Sequence, residues 1–546
     1  MTITAQAGAL RIEVRGRLAE DARELLERFR EERVGSRLRD RDAALWGDEA
    51  RAEAEGRLGW IGAEGRIAEA TAATVHARAR LAGFDRAVLV GMGGSSLAAE
   101  VVCQEFSLPL TVLDTTDPAP VGRVLRGPLD RTLVVASSKS GETLESAAVL
   151  RVLLAAFAEA GLDPAGHLVA VTDPGSLLAR TAGELGAAAL LGDPTVGGRF
   201  SALTPFGLAP AALLGADTVL LAPAARAVAE ALGTEDDPGL LLGCALGAAA
   251  AKTRGTLLIE FLPSMPPSFG DWLEQLIAES SGKDGRGILP LALRPRAAGG
   301  RPADAVLARI SADASAPEPD PGEQPEIAVR GPLGAQFLVW EYATAIACRA
   351  LGVNPFDQPN VQEAKDRAQL ILEHPGQPAD AAALDAHRFV DGGVEVGLDA
   401  AATAGVGRVT SLAELFAALP ELIDPDGYLS ILGYLDRSAD AAAEGLRDAL
   451  AARTVRPVAF GWGPRYLHSV GQYHKGGPAR GAFLIITGPT ELDWTIPGGD
   501  RTLGGIIAAQ AEGDLRSLRM RGRPVVRLRL ADRSAGIKAL LSAAVG

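Results

Sequence analysis

Four short stretches of this 546-residue chain carry residues whose types and spacing could do chemistry: two Gly/Ser-rich turns, an arginine behind two glycines, and a Gln/Glu pair. In Ala87-Val-Leu-Val-Gly-Met-Gly-Gly-Ser-Ser96 an apolar strand runs into a glycine-rich turn. Backbone NH groups there can face a ligand, and glycine removes the Cβ that would block close approach. The turn does not complete the dinucleotide pattern GxGxxG, so a tight turn without a ligand explains it about as well. Leu133-Val-Val-Ala136 leads into Ser137-Ser-Lys-Ser-Gly-Glu-Thr143, where the hydroxyls of Ser138, Ser140 and Thr143 and the NH groups of a helix start can cradle an anion. The plainer reading is an N-cap made by Ser140 or Thr143. Arg199 stands behind two glycines in Val196-Gly-Gly-Arg-Phe-Ser201, a pattern that alone reads as a surface arginine after a turn. Gln275 and Glu279 stand four apart on a predicted helix and so share a face, where Glu279 could act as a general base or lie on a solvated surface.

These loops need a scaffold. Apolar runs at 87–90, 110–113, 132–136 and 168–171 alternate with helix-like segments, the mark of βαβ units and a parallel sheet. Two Gly/Ser-rich loops on successive strands favour a ligand crevice at the strands' carboxyl ends. A second α/β set is predicted from Asp237, with a helix through Ala251, a strand at 256–260, a helix at 269–281 and a strand at 288–292. Residues 11–82 read as helical, 312–325 and 375–386 as Pro-rich connectors, and 428–432, 457–460 and 482–486 as strands of a third region with a helix at 441–452.

Asp and Glu outnumber Lys and Arg by 68 to 54, a net charge of -14, which gives nucleic acid or an anionic membrane no electrostatic support. The longest apolar runs, 205–216 and 239–251, fall short of the roughly 18 residues a bilayer span needs. The first 18 residues lack a secretory apolar core. Three scattered cysteines argue against a disulfide framework and for the cytoplasm. Six histidines without HExxH spacing give no reason to expect a metal, and no cofactor is expected.

Taken in order, the blocks Gly91–Ser95, Ser138–Thr143, Gly197–Ser201, Glu274–Lys283 and Leu351–Lys365 resemble the successive signatures of the glucose-6-phosphate isomerase family, over roughly residues 60–372. The resemblance implies an α/β protein with two SIS-type α/β/α sandwich domains on parallel sheets, plus a C-terminal α/β extension. The expected divisions are a helical segment 1–82, SIS domains 83–230 and 231–374, and the extension 387–546. It further implies that Gly94 and Ser95 touch the sugar, that Ser138, Lys139, Ser140 and Thr143 hold the phosphate, and that Gln275 binds substrate. Glu279 would shuttle the proton between C2 and C1, Arg199 would steady the cis-enediolate, and Lys365 would serve ring opening.

The family's ring-opening histidine normally falls between the Glu and Lys blocks, yet residues 280–364 contain none. The C-terminal Gly463–Pro478 stretch, with its His-Lys-Gly-Gly-Pro segment, resembles the isomerase half of transaldolase/phosphoglucose isomerase fusion proteins, which makes His474, with His468 as the second choice, the expected substitute. The expected partner is a small-molecule sugar phosphate, with no nucleic acid and no membrane, and a homodimer is one expectation because the family commonly forms them. Rival readings are an isomerase of mannose 6-phosphate, a non-catalytic SIS sensor and the isomerase half of an amidotransferase.

Overall fold

The computed structural model describes residues 1–79, 81, 83–252, 254–293, 305–315, 325–360 and 385–546. Lys365 and most of the two Pro-rich connectors lie outside the described residues. The described residues of 1–114, 128–295 and 304–357 form one unit, and those of 115–127 and 358–546 a second.

The first unit holds eleven strands among its described residues: β1 Thr2–Ala7, β2 Leu10–Arg15, β3 Arg86–Val90, β4 Thr111–Leu113, β5 Thr132–Ser137, β6 Leu168–Thr172, β7 Ala188–Leu191, β8 Thr256–Phe261, β9 Leu289–Leu293, β10 Ala305–Ser311 and β11 Ile327–Arg330. One sheet is wholly parallel, in the order β4-β3-β5-β6-β7. Strands β5 and β6 are buried along their whole length, which explains their continuous apolar sequence: helices on both faces leave no wet side to alternate with. The second sheet runs β1-β2-β11-β10-β8-β9, parallel from β11 to β9 and edged by the antiparallel β1–β2 hairpin.

That hairpin departs from the helical reading of the segment after Arg11. Leu10, Ile12 and Val14 are fully buried on one face, Arg11 stays exposed on the other, Glu13 is buried there in ion pairs with Arg11, Arg15 and Arg330, and β2 pairs with β11 more than 300 residues downstream. The helix expected over 269–281 changes character midway. It is α-helical at Phe269–Glu274 and widens into a π-turn at Gln275–Glu279, a rare geometry that recurs at functional sites.

The second unit has its own core, built on Val396, Phe416, Ile431, Leu484 and Leu528 among others. Its strands are β12 His387–Asp391, β13 Val394–Leu398, β14 Tyr428–Tyr434, β15 Val458–Trp462, β16 Gly481–Thr487 and β17 Val525–Leu530. They form one sheet, β12-β13-β17-β16-β14-β15, parallel from β17 to β15. No helix among the described residues is long and apolar enough to cross a membrane.

Candidate active site

In the five-stranded sheet the chain leaves β3 for β4 on one side and returns to β5 on the other, so the connections diverge at the carboxyl ends of β3 and β5. Such a point leaves a crevice for a ligand. The loops after these two strands are the Gly91–Ser96 turn and the Ser137–Thr143 loop. A Cβ added to Gly91 would stand 2.7 Å from the Ser95 carbonyl oxygen and 3.0 Å from that of Ser137, and one on Gly94 would stand 2.1 Å from the carbonyl oxygen of Gly198. Backbone thus meets backbone at both positions, and only glycine fits. The Ser201 hydroxyl donates to the Gly94 carbonyl at 3.3 Å and to that of Gly198 at 2.6 Å, which fastens the Arg199 turn to the Gly94 turn.

Ser95 and Ser138 are buried, and Ser140 is exposed. The Ser138 Oγ accepts the Gly141 NH at 3.0 Å and lies 3.4 Å from the Thr143 hydroxyl, while the Ser140 Oγ accepts the Glu142 NH at 3.1 Å. Thr143 occupies the N-cap position of helix Leu144–Glu159, yet its side chain caps nothing. Capping therefore does not account for that hydroxyl. Lys139 is half-buried, with Nζ 2.8 Å from an Asp173 carboxylate oxygen and 3.3 Å from the Asp193 carbonyl, and it sits 5.0 Å from the Phe206 ring centre. Its charge is already matched by Asp173, so an incoming phosphate would share it.

Glu279 is 4% exposed and Arg199 5% exposed, and they form an ion pair at 3.2 Å. The Gln275 amide donates to the other Glu279 oxygen at 3.1 Å. The Arg199 guanidinium is held from behind: its Nε and Nη2 donate to the Pro355 carbonyl at 3.2 and 2.9 Å, and Nη2 to the Asp357 carbonyl at 2.9 Å. Pairing and hydrogen bonding together make such a buried charge tolerable. Stacked aromatics underlie the turn, with Trp60 and Phe200 at 4.9 Å and Phe200 and Phe356 at 5.6 Å.

Lys283 completes the arrangement, and the sequence reading gave it no separate role. Its ammonium donates to the Asn354 carbonyl and pairs with the Asp357 carboxylate at 2.6 Å. The Asn354 side chain in turn accepts the Phe356 NH at 3.0 Å. The 354–357 loop is therefore gripped by two cations, Arg199 and Lys283. Burial, followed by repulsion from Arg199, brings the Lys283 ammonium down to about 8 against the pull of Asp357. The signal available in the sequence was its spacing of four from Glu279 within one block.

The histidines of the Gly463–Pro478 stretch belong to the second unit. Within it Gly471–Gly476 forms a short helix, and His474 is fully buried. Its Nδ1 is 2.9 Å from the Tyr428 hydroxyl and its Nε2 3.1 Å from the Ser430 hydroxyl. Burial, reinforced by Lys475 and Arg523, holds its pKa well below the ordinary imidazole value. Both ring nitrogens of His474 are thus within hydrogen-bonding distance of a hydroxyl in the interior of the second unit. His468 is half-buried at the end of the turn Arg465–His468.

No protein-family model matches the chain. A glucose-6-phosphate isomerase of Rubrobacter xylanophilus is 30% identical over 375 residues, covering 56% of this chain and 86% of that protein. A probable glucose-6-phosphate isomerase of Haloarcula marismortui is 35% identical over 234 residues, covering 41% of this chain and 53% of that protein. One of Acaryochloris marina is 37% identical over 235 residues, 40% of this chain and 44% of that protein. The chain spans about half the length of the latter two relatives. Among solved structures, a hypothetical protein of Thermus thermophilus matches with TM-score 0.56 and 25% identity over 68% of this chain and 100% of that one. A glucose-6-phosphate isomerase of Chlamydia trachomatis matches with TM-score 0.54 and 18% identity, over 68% and 89% respectively, and shares the fold.

The parallel α/β sheets, with Gly/Ser-rich loops at strand carboxyl ends, are of the fold class that the Chlamydia isomerase shares. Within it, the chain belongs to the glucose-6-phosphate isomerase family.

Proposed function

We propose that this protein interconverts glucose 6-phosphate and fructose 6-phosphate through a cis-enediolate. The observation that carries this reading is the buried Glu279 carboxylate, held between the Arg199 guanidinium and the Gln275 amide. Aldose–ketose isomerisation moves one carbon-bound proton from C2 to C1 and leaves negative charge on the oxygens between. A carboxylate takes and returns the proton, and a fixed cation stabilises the charge as it develops. Arg199 suits the second task because carbonyls of Pro355 and Asp357 already orient it before substrate arrives.

The phosphate is assigned to Ser138, Ser140, Thr143 and the NH groups opening helix Leu144–Glu159, where the dipole favours an anion, with Lys139 contributing charge. Gly94 and Ser95 are assigned to the sugar hydroxyls. Ring opening is assigned to Lys365, which the family resemblance links to that step and which lies outside the described residues, with His474 as the acid/base whose hydroxyl partners are Tyr428 and Ser430. Three buried, unpaired cysteines, Cys103, Cys244 and Cys348, support a cytoplasmic location.

Mannose 6-phosphate differs from glucose 6-phosphate only at C2 and yields the same enediolate, so product identity is part of the test. Purified protein is given fructose 6-phosphate, and each aldose is detected through its own coupled dehydrogenase assay. Turnover to glucose 6-phosphate supports the proposal. Sugar-phosphate binding without turnover would replace it with the sensor reading, and mannose 6-phosphate as main product would change the substrate.

A further inference from the structure

The second unit repeats the topological feature that made the crevice in the first. From β14 the chain crosses to β15 on one side and then to β16 on the other, so connections diverge at the carboxyl ends of β14 and β16. By the rule applied above, a ligand crevice belongs there. A cavity of about 410 Å³ occupies that position, bounded by Tyr434 at the end of β14 and by Thr487 and the following Gly-Pro-Thr at the end of β16. That volume falls within the range of small-molecule sites.

The wall is rich in positive charge. Arg527 and Arg529 come from β17 and Arg533 from the first turn of helix Arg533–Val545. Gly504 brings the start of the 18-residue helix Leu503–Met520 to the same cavity, so the positive ends of two helix dipoles join three guanidinium groups. Two carboxylates share the wall. Glu395 pairs with Arg527 at 2.9 Å and reaches Arg529 only at 3.9 Å, while Glu512 is engaged by Arg516 at 2.5 Å. Arg533 pairs with Asp117 and Asp440 at 2.7 and 3.2 Å. Arg529, two-thirds exposed and with that one long contact to Glu395, is the cation least committed to the protein.

The opposite wall is fixed by buried polar groups. Tyr434 is 3% exposed, and its hydroxyl meets that of Tyr466 at 3.0 Å. Tyr466 donates to Asp514, which pairs with Lys475 at 2.5 Å in a bridge wholly removed from solvent. This places the His-Lys-Gly-Gly-Pro lysine, which the isomerase chemistry does not use, behind the cavity wall. We propose that the cavity binds a small phosphate monoester, making the C-terminal unit a second ligand-binding module whose residues are distinct from those assigned to isomerisation.

Hydrogen exchange of the full-length protein reads the two sets of residues separately. Millimolar glycerol 3-phosphate should slow exchange at 487–504 and 525–533 by about twofold at half saturation. Arg529→Gln, at an exposed position, should abolish that protection while leaving any change at 137–143 and the melting temperature as in wild type. No protection of the cavity segments in the wild type, or protection unchanged in Arg529→Gln, overturns the proposal. An equal response to a carboxylate such as malate overturns the choice of phosphate.

Discussion

Replacing Lys283 by Met separates what this residue does for stability from what it does for the site. Its ammonium falls from 10.5 to about 8 on folding. At roughly 1.4 kcal/mol per tenfold change in proton affinity, keeping it charged at neutral pH costs about 3 kcal/mol. Met removes that cost and leaves the Asn354 carbonyl without its donor, worth about 1–3 kcal/mol in the opposite direction. The urea midpoint at pH 7 should therefore change little. Activity should not be spared, because the same loop carries the Pro355 and Asp357 carbonyls that orient Arg199. A displacement of about 1 Å at such a site costs on the order of a hundredfold in kcat/KM.

The pH dependence has a definite sign. With the folded value depressed, the unfolded chain binds the extra proton between about 8 and 10.5, so the Lys283 contribution to stability rises across that window. In the Lys283→Met protein that rise should be missing. Wild-type kcat/KM should decline above about pH 8 as the ammonium discharges and the loop loosens, and Lys283→Arg, which stays charged, should push that decline to higher pH. Steady-state kinetics and urea titrations across this range measure both effects. A Lys283→Met variant with wild-type kcat/KM, or an alkaline decline identical in all three proteins, would mean that Lys283 does not hold the 354–357 loop for Arg199.

Arg199→Ala strands the buried Glu279 carboxylate and should destabilise the first unit by about 3–5 kcal/mol in thermal denaturation, with kcat down on the order of a hundredfold or more. Gly94→Ala forces a methyl group against the Gly198 carbonyl at a nominal 2.1 Å; overpacking of this kind costs about 1–3 kcal/mol and should raise KM, and an unchanged KM would show that the turn is not at the sugar. His474 stays neutral in the folded protein while the unfolded chain takes up a proton below 6.5, so its contribution is complete above that pH and is lost as pH falls. Urea titrations at descending pH should show a shallower loss in His474→Phe, with turnover of the variant reporting directly whether the ring takes part in catalysis.

Four of the five strands of the parallel sheet, β3 to β6, were legible because they are short continuous apolar runs, a local signal, whereas the edge strand β7 was not. Strand β2 was not read, although Leu10-Arg-Ile-Glu-Val-Arg15 alternates apolar and charged residues, because the Arg/Glu-rich helix that follows it masks a six-residue strand whose sheet partner β11 lies some 300 positions away. Strands β10, β12, β13 and β17 also escaped notice; β10 and β17 are interior strands placed by pairing with distant segments, which local propensity does not announce. Glu279 and Gln275 could be paired from their spacing alone, although the π-turn that holds them could not. The grip of Lys283 on the 354–357 loop joins residues about 70 apart, and nothing local announces it. The burial of His474 against Tyr428 and Ser430 was not legible either, because both partners lie more than 40 residues upstream of a glycine-rich segment.

The proposed transfer of the proton between C2 and C1 by Glu279 is read out with glucose 6-phosphate deuterated at C2, following label passed to C1 and label lost to solvent in the wild type and in Glu279→Gln. The expected result is intramolecular transfer with partial loss in the wild type, and neither transfer nor loss in the Gln variant while the sugar phosphate still binds. Label movement at the wild-type rate in Glu279→Gln would contradict it and send the search for the base elsewhere in the site.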